Sequence, residues 1–136
     1  TWYLQTSSWE SVDLVLETSV TIGLLASNVL MVNNYRDMED DAAVGKRTTV
    51  VIFERRFISI VYLLYGFIGM AIMTPVFLQF PVWALVIPLL YLILHIKTWW
   101  RLKQSSGAAI NPLLGRTAIN LLIFALFFAS ICLYCS

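Results

Sequence analysis

Four apolar runs, at residues 14–32, 57–74, 82–96 and 118–134, decide what this chain can fold into. A helix needs about 20 apolar residues to cross a bilayer, with about 17 as the lower end. The first, second and fourth runs meet that length. The third is short, but Trp99 and Trp100 extend it to headgroup depth, so a helix over 81–100 is expected. The hydrocarbon holds no water to take up open backbone groups, which favours helices over strands and loops. Composition agrees: 12% of the 136 residues are charged and the mean hydropathy is +0.80, against about 25% charged in soluble domains. The expected fold is therefore all-α: a polytopic membrane protein with four transmembrane helices in a single membrane domain, 1–136. Pro88 should kink the third helix, and Pro75 and Pro81 should bracket a short uncharged turn.

The charges give that bundle an orientation. Arg36, Lys46, Arg47, Arg55 and Arg56 follow the first run, and Lys97, Arg101, Lys103 and Arg116 follow the third. These are all nine Lys and Arg of the chain, and they fall on one side; Glu10, Asp13 and Glu17 lie on the other. By the positive-inside rule both basic loops are expected in the cytoplasm, which for a bacterial cell means the inner membrane. The same residues are too scattered to form a basic face, so nucleic acid is not an expected partner. The chain opens on Thr1-Trp2-Tyr3 with no basic n-region and no cleavage site, and is expected to be a piece of a longer polypeptide without a signal peptide.

Within the first basic loop lies a denser feature. Residues 33–48 hold four carboxylates (Asp37, Glu39, Asp40, Asp41) and three cations (Arg36, Lys46, Arg47). Acids at the mouth of a membrane helix are costly to desolvate, so they point to a working site. If the first helix runs on past Val32, Asn33, Asn34, Asp37 and Asp41 share an arc of about 100°, with Asp40 at its edge and Glu39 elsewhere, paired with Arg36. Two carboxylates four residues apart repel unless a cation lies between them, and oxygen-only donors suit Mg²⁺. Asp37 and Asp41 are the expected metal ligands and catalytic residues, with Asn33 and Asn34 as further ligands. Gly45 should end this helix. Lys46 and Arg47 would then bind a phosphate group held by the metal. An EF-hand is excluded by the spacing, and a Walker loop by the lack of an upstream glycine run.

Other residues invite blander readings. His95, the lone histidine, is expected to be packed or interfacial. Ser27 and Asn28 are expected to serve helix packing. Cys132 and Cys135 are expected to be small apolar side chains, because two cysteines alone close no zinc site. Residues 103–112, with Ser105-Ser106-Gly107 and Asn111-Pro112, should form a polar loop over the cytoplasmic face.

The stretch Asn33-Asn34-Tyr35-Arg36-Asp37-x-x-x-Asp41-x-x-x-Gly45-Lys46-Arg47-Thr48 resembles the second aspartate-rich motif of the UbiA superfamily of intramembrane prenyltransferases. Tyr3-Leu4-Gln5-Thr6 and Asn111-Pro112-Leu113-Leu114-Gly115-Arg116-Thr117 resemble it too, so the likeness spans nearly the whole chain. The double Asn and the Arg-Asp pair are most similar to the branch that prenylates 1,4-dihydroxy-2-naphthoate in menaquinone biosynthesis. The resemblance implies a nine-helix bundle of which this chain is the C-terminal part, helices six to nine. The N-terminal half of the same protein, with the first motif, would then be a partner of this piece, and membrane lipid its surroundings. It further implies a Mg²⁺-dependent transfer from polyprenyl diphosphate to an aromatic acceptor, with the isolated piece inactive. The family pattern continues past Thr48 with a small residue, an Arg and a Gly, where this chain has Val50, Ile52 and Glu54. Two other readings stay open from the residues: a different aromatic acceptor such as 4-hydroxybenzoate, or a non-enzymatic transport or assembly protein whose acidic loop binds a cation.

Overall fold

The computed structural model describes residues 12–134. Its elements are α1 (Val12–Arg36), α2 (Met38–Ala43), α3 (Thr49–Phe77), a 3₁₀ turn (Val82–Leu85), α4 (Val86–Gln104), a second 3₁₀ turn (Gly107–Ile110) and α5 (Asn111–Tyr134). No strand occurs among the described residues. Four stretches, of 25, 29, 23 and 28 residues, are long and apolar enough to cross a membrane. Each exceeds the ~20 residues a span requires. The expected all-α membrane architecture is therefore observed, with longer helices than the apolar runs alone indicated.

Two apolar clusters show how the helices run. One gathers Val32 and Tyr35 from the end of α1, Val50, Ile58 and Tyr62 from the start of α3, Leu102 from the end of α4, and Ile110 and Leu113 beside the start of α5. The other gathers Leu25, Met70, Met73, Phe77, Tyr91, Phe124 and Phe128, from the opposite ends of α3, α4 and α5. The helices therefore alternate up and down. α1 packs on α3 and α5, and α4 packs on the same two, closing a ring. Phe77 meets Phe124 and Phe128 edge-on, at centroid separations of 6.3 and 5.7 Å. That is the offset geometry the ring quadrupoles favour.

Between the clusters lies a layer of buried polar side chains. Tyr62 Oη is 3.2 Å from Thr117 Oγ1, and Asn120 donates to Thr98 Oγ1 at 3.2 Å. His95 sits in the middle, 1% exposed. Its Nε2 lies 3.1 Å from the Tyr62 carbonyl oxygen and its ring stacks on Tyr62 at 4.6 Å. Gly66 lets the imidazole come this close, because a Cβ there would run into the ring. His95 is thus packed, as expected. Asn28 is fully buried on α1 with its side-chain amide unpaired among the described residues. Ser27 turns back to the Gly23 carbonyl of its own helix at 2.8 Å and makes no interhelical bond among the described residues. Cys132 is half-buried against the apolar cluster; Cys135 lies outside the described residues.

Proline behaves differently from expectation. Pro75 lies inside α3, which continues to Phe77, so the turn is confined to residues 78–81. Pro88 kinks nothing, because it falls in the first turn of α4. Its missing N–H has no donor to offer Ala84, and residues 82–85 wind as 3₁₀ instead. The 103–112 loop is also shorter than expected: α4 runs to Gln104, α5 begins at Asn111, and Ile110 between them is fully buried.

α3 is not one uninterrupted helix. Glu54 has φ 65° and ψ 158° and divides a short opening stretch from the long span. That region is essentially reserved for glycine, at a cost of about 1–3 kcal/mol for other residues, and the motif's pattern has glycine at this place. Glu54→Gly in the full-length protein is expected to raise unfolding stability by about 1 kcal/mol, after allowing for the extra chain entropy glycine brings to the unfolded state. Denaturant unfolding in detergent micelles measures this. An unchanged or lowered midpoint would mean that Glu54 does not hold the left-handed conformation.

Candidate functional site

The acidic stretch folds as a corner between α1 and α3. α1 ends at Arg36, and Asp37 breaks it with φ −90° and ψ 7°, in the bridge region where active-site residues recur. The helical path nevertheless persists across the break: the Asp37 amide reaches the Asn33 carbonyl at 3.1 Å, and the Asp41 amide reaches that of Asp37 at 2.8 Å. α2 then stops as expected at Gly45, whose φ is +73°. The Gly45 amide donates to the Ala42 carbonyl at 3.1 Å and the Lys46 amide to that of Asp41 at 2.8 Å. This pairing is the Schellman closure, and it turns the chain so that Lys46 comes back over Asp41.

The two aspartates sit in different surroundings. Asp37 is half-exposed and fully engaged: Arg36 Nε donates to Oδ1 at 2.6 Å, Arg36 Nη2 to Oδ2 at 2.8 Å, and Asn33 Nδ2 to Oδ2 at 3.4 Å. The Arg36 guanidinium is the main reason the Asp37 carboxyl lies below its ordinary range, and the charge of Lys46 lowers it further. Asp41 is buried, 7% exposed. Lys46 Nζ donates to its Oδ1 at 2.9 Å, while Oδ2 is buried with no hydrogen-bond partner among the described residues. An ionised carboxylate oxygen kept from water without a donor is uncommon. Each carboxylate thus has its own cation, Arg36 for Asp37 and Lys46 for Asp41, with Lys46 adding only a smaller charge effect on Asp37.

Arg36 also donates to Asn33 Oδ1 at 3.0 Å and, across 75 residues of sequence, to Asn111 Oδ1 at 3.3 Å. The start of α5 thus helps to hold the motif. The expected Arg36–Glu39 pair does not form. Arg36 is taken by its neighbour Asp37, and Glu39, on the outer side of α2, pairs with Arg55 at 3.2 Å. Arg55 also lies over the Tyr35 ring, 5.5 Å from its centroid. Nothing in the sequence pattern links Glu39 to a residue sixteen positions on. The reach of Arg36 to Asn111 had only one sign, the resemblance of the 111–117 stretch to the family.

Of the remaining candidates, Asn33 joins the cluster directly. Asn34 is half-buried beside it and makes no side-chain hydrogen bond among the described residues. Asp40 and Arg47 are exposed, and Arg47 pairs with no carboxylate among the described residues. No group of three or more His, Cys, Asp or Glu side chains converges there either. Two carboxylates and the Asn33 amide oxygen are what this corner offers a cation, an all-oxygen set that suits Mg²⁺ with waters or substrate oxygens completing its shell. The orphaned Oδ2 of Asp41 fits that role. From Thr49, one residue past the motif, an apolar cleft of about 380 Å³ runs along α3, lined by Met31, Phe53, Phe57, Tyr65 and Ile68 among others.

Residues 1–116 match the UbiA prenyltransferase family. A stretch of 51 residues, 38% of the chain, is 49% identical to 1,4-dihydroxy-2-naphthoate octaprenyltransferase of Haemophilus influenzae and covers 16% of that protein's length. No solved structure matches the chain significantly. The match covers most of the sequence and takes in the whole Asn33–Thr48 corner, and on it the chain belongs to the UbiA prenyltransferase family.

Proposed function

We propose that the protein containing this chain transfers a polyprenyl group from its diphosphate to 1,4-dihydroxy-2-naphthoate, in menaquinone biosynthesis, with the Asn33–Arg47 corner binding the diphosphate end of the donor. Family membership supports the reaction type, and the named Haemophilus relative supports the acceptor. The observation that carries the site is the buried, unpartnered Oδ2 of Asp41. In this reading Asp37, Asp41 and Asn33, with Asn34 adjoining, hold Mg²⁺. When bound, the ion would neutralise charge growing on the leaving diphosphate.

The chain's own residues supply the rest. Lys46 hangs from a fixed turn, so its ammonium reaches phosphate oxygens without first ordering a loop. Exposed Arg47 and the Arg36 guanidinium offer further charge-assisted donors to the same oxygens. Such donors count most when they meet charge present only in the transition state. The apolar cleft along α3 takes the prenyl chain and keeps water from the allylic carbon as its bond to oxygen breaks. The electron-rich ring then attacks that carbon as the diphosphate departs, and the ring regains aromaticity by losing its carboxylate as CO₂. Its other contacts come from the N-terminal half of the same protein, so the isolated piece is inactive.

Asp37→Ala and Asp41→Ala in the full-length enzyme are each expected to lower prenyl transfer by about 10²-fold or more, the scale on which single preorganised groups act. Asp40→Ala should be milder. Glu39→Ala should be nearly silent, because an exposed ion pair contributes about 0–1 kcal/mol. Transfer within threefold of wild type for the Asp41 variant would remove the site from this reading. A panel containing 1,4-dihydroxy-2-naphthoate and 4-hydroxybenzoate decides the acceptor.

Orientation has its own test. We place the corner at the cytoplasmic face, since every cation follows the first or third apolar run. Single cysteines at Val44 and Ser106, in a background lacking Cys132 and Cys135, should resist an impermeant thiol reagent added to intact cells, and one at Gln79 should react. The opposite pattern would turn the site outward, away from a cytoplasmic supply of substrates.

A further inference from the structure

At the charged end of the bundle, and lined by none of the acidic corner's residues, α4 and α5 form a cleft of about 250 Å³. Its walls carry three cations, Lys97 and Arg101 one turn apart on α4 and Arg116 on α5, with no carboxylate among them. Arg36, Lys46 and Arg55 each have an acidic partner, but Lys97, Arg101 and Arg116 have none among the described residues. Thr98 and Asn120 also line the cleft, and both are buried, at 4% and 7% exposure. They are tied to each other at 3.2 Å, and Thr98 donates to the Leu94 carbonyl at 2.9 Å. The second amide hydrogen of Asn120 has no acceptor among the described residues. Three like charges around one cavity repel, and an anion between them relieves that repulsion.

Depth selects the kind of anion. Trp99 and Trp100 lie on the same turns as the cations, and Lys103 rests over both rings at 4.6 and 5.7 Å, which is the pattern of a headgroup-level belt. Leu94, one turn further into the membrane, forms the apolar end of the cleft. Ile93, Ile96 and Ile119, each next in sequence to a lining residue, are exposed. A polar mouth with cations above and an apolar wall below matches a molecule with a phosphate at one end and acyl chains at the other. Basic pockets between membrane helices have this character. We propose that the α4–α5 cleft binds the phosphodiester of an anionic phospholipid, with Lys97, Arg101 and Arg116 around the phosphate and Asn120 donating to it from the floor.

The test uses the full-length protein in detergent and native mass spectrometry, with phosphatidylglycerol and phosphatidylcholine of identical acyl chains in equal amounts. Wild type is expected to retain phosphatidylglycerol over phosphatidylcholine by about tenfold or more, the scale of several cations near one headgroup. The Lys97→Gln/Arg101→Gln/Arg116→Gln variant should lose that preference. Lys103→Gln, which removes a cation at the same depth that does not line the cleft, should keep it. Equal retention of the two lipids by wild type overturns the proposal, as does an equal loss in Lys103→Gln. Inorganic pyrophosphate forms the second arm. If it displaces the lipid, and is itself retained by wild type but not by the triple variant, the cleft serves a soluble phosphate and the lipid assignment fails. Thr98→Val breaks the interhelical bond to Asn120 yet leaves the Asn120 amide in the cleft and should keep phosphatidylglycerol, whereas Asn120→Leu keeps all three cations and should weaken its retention. Undiminished retention in this variant removes Asn120 from the site.

Discussion

The bilayer accepts neither an open backbone group nor an unpartnered charge in its interior, and each level of this fold answers to that refusal. It makes the spans helical and keeps all nine cations out of the apolar runs at their centres. It also governs most of the polar side chains that remain inside, although the Asn28 amide has no partner among the described residues. Tyr62, His95, Thr98, Thr117 and Asn120 are buried, and they find partners on neighbouring helices or in their own backbone. Those pairs tie α3, α4 and α5 together beside apolar clusters that would tolerate sliding. Apolar packing between membrane helices has little hydrophobic drive of its own. The polar layer therefore fixes the height of each helix against the next, including where the charged ends meet.

The acidic corner inherits its geometry from that registry. Its carboxylates lie where α1 leaves the bundle and α3 enters it, and Arg36 reaches Asn111 only because α5 begins at the same level. The corner itself is closed by backbone hydrogen bonds on both sides of Asp37 and by the turn at Gly45. Lys46 is consequently held over Asp41 by main chain, and Oδ1 is taken while Oδ2 is left. Leaving a buried carboxylate oxygen unpaired costs stability. Retaining one at the mouth of a membrane bundle is the kind of local penalty that a ligand-binding role explains.

How much of this was legible in the residues depends on how local the cause is. The spans, the helix stop at Gly45 and the burial of His95 follow from short-range rules. The helical spacing of Asp37 and Asp41 suggested one cation between them, but each carboxylate has its own, Arg36 for the first and Lys46 for the second. What escaped were contacts between distant segments and backbone effects of single residues. Glu39 binds Arg55 rather than Arg36, since Arg36 is captured by the nearer Asp37. Pro88 falls in the first turn of α4, after a 3₁₀ turn, instead of bending a helix, which depends on where α4 starts. Glu54 takes a left-handed conformation that its identity argues against, so only the expected glycine of the motif could have hinted at a break. The cationic cleft draws its side chains from two helices, so no single stretch of sequence shows it.

Charge balance joins the observed geometry to the proposed chemistry. As folded, Asp37 and Arg36 form one neutral pair and Asp41 and Lys46 another. A divalent cation arriving alone would have to compete with both for the same oxygens. A cation arriving with a diphosphate would not, because each displaced guanidinium or ammonium finds new phosphate oxygens within reach of the same corner. On the proposed reading, the ion pairs seen here are the resting form of a site whose cations change partners from carboxylate to phosphate. That exchange keeps the corner near neutrality in both states, which matters where the dielectric is low. It also favours binding of metal and donor together over either one alone, because each supplies the charge that the other requires.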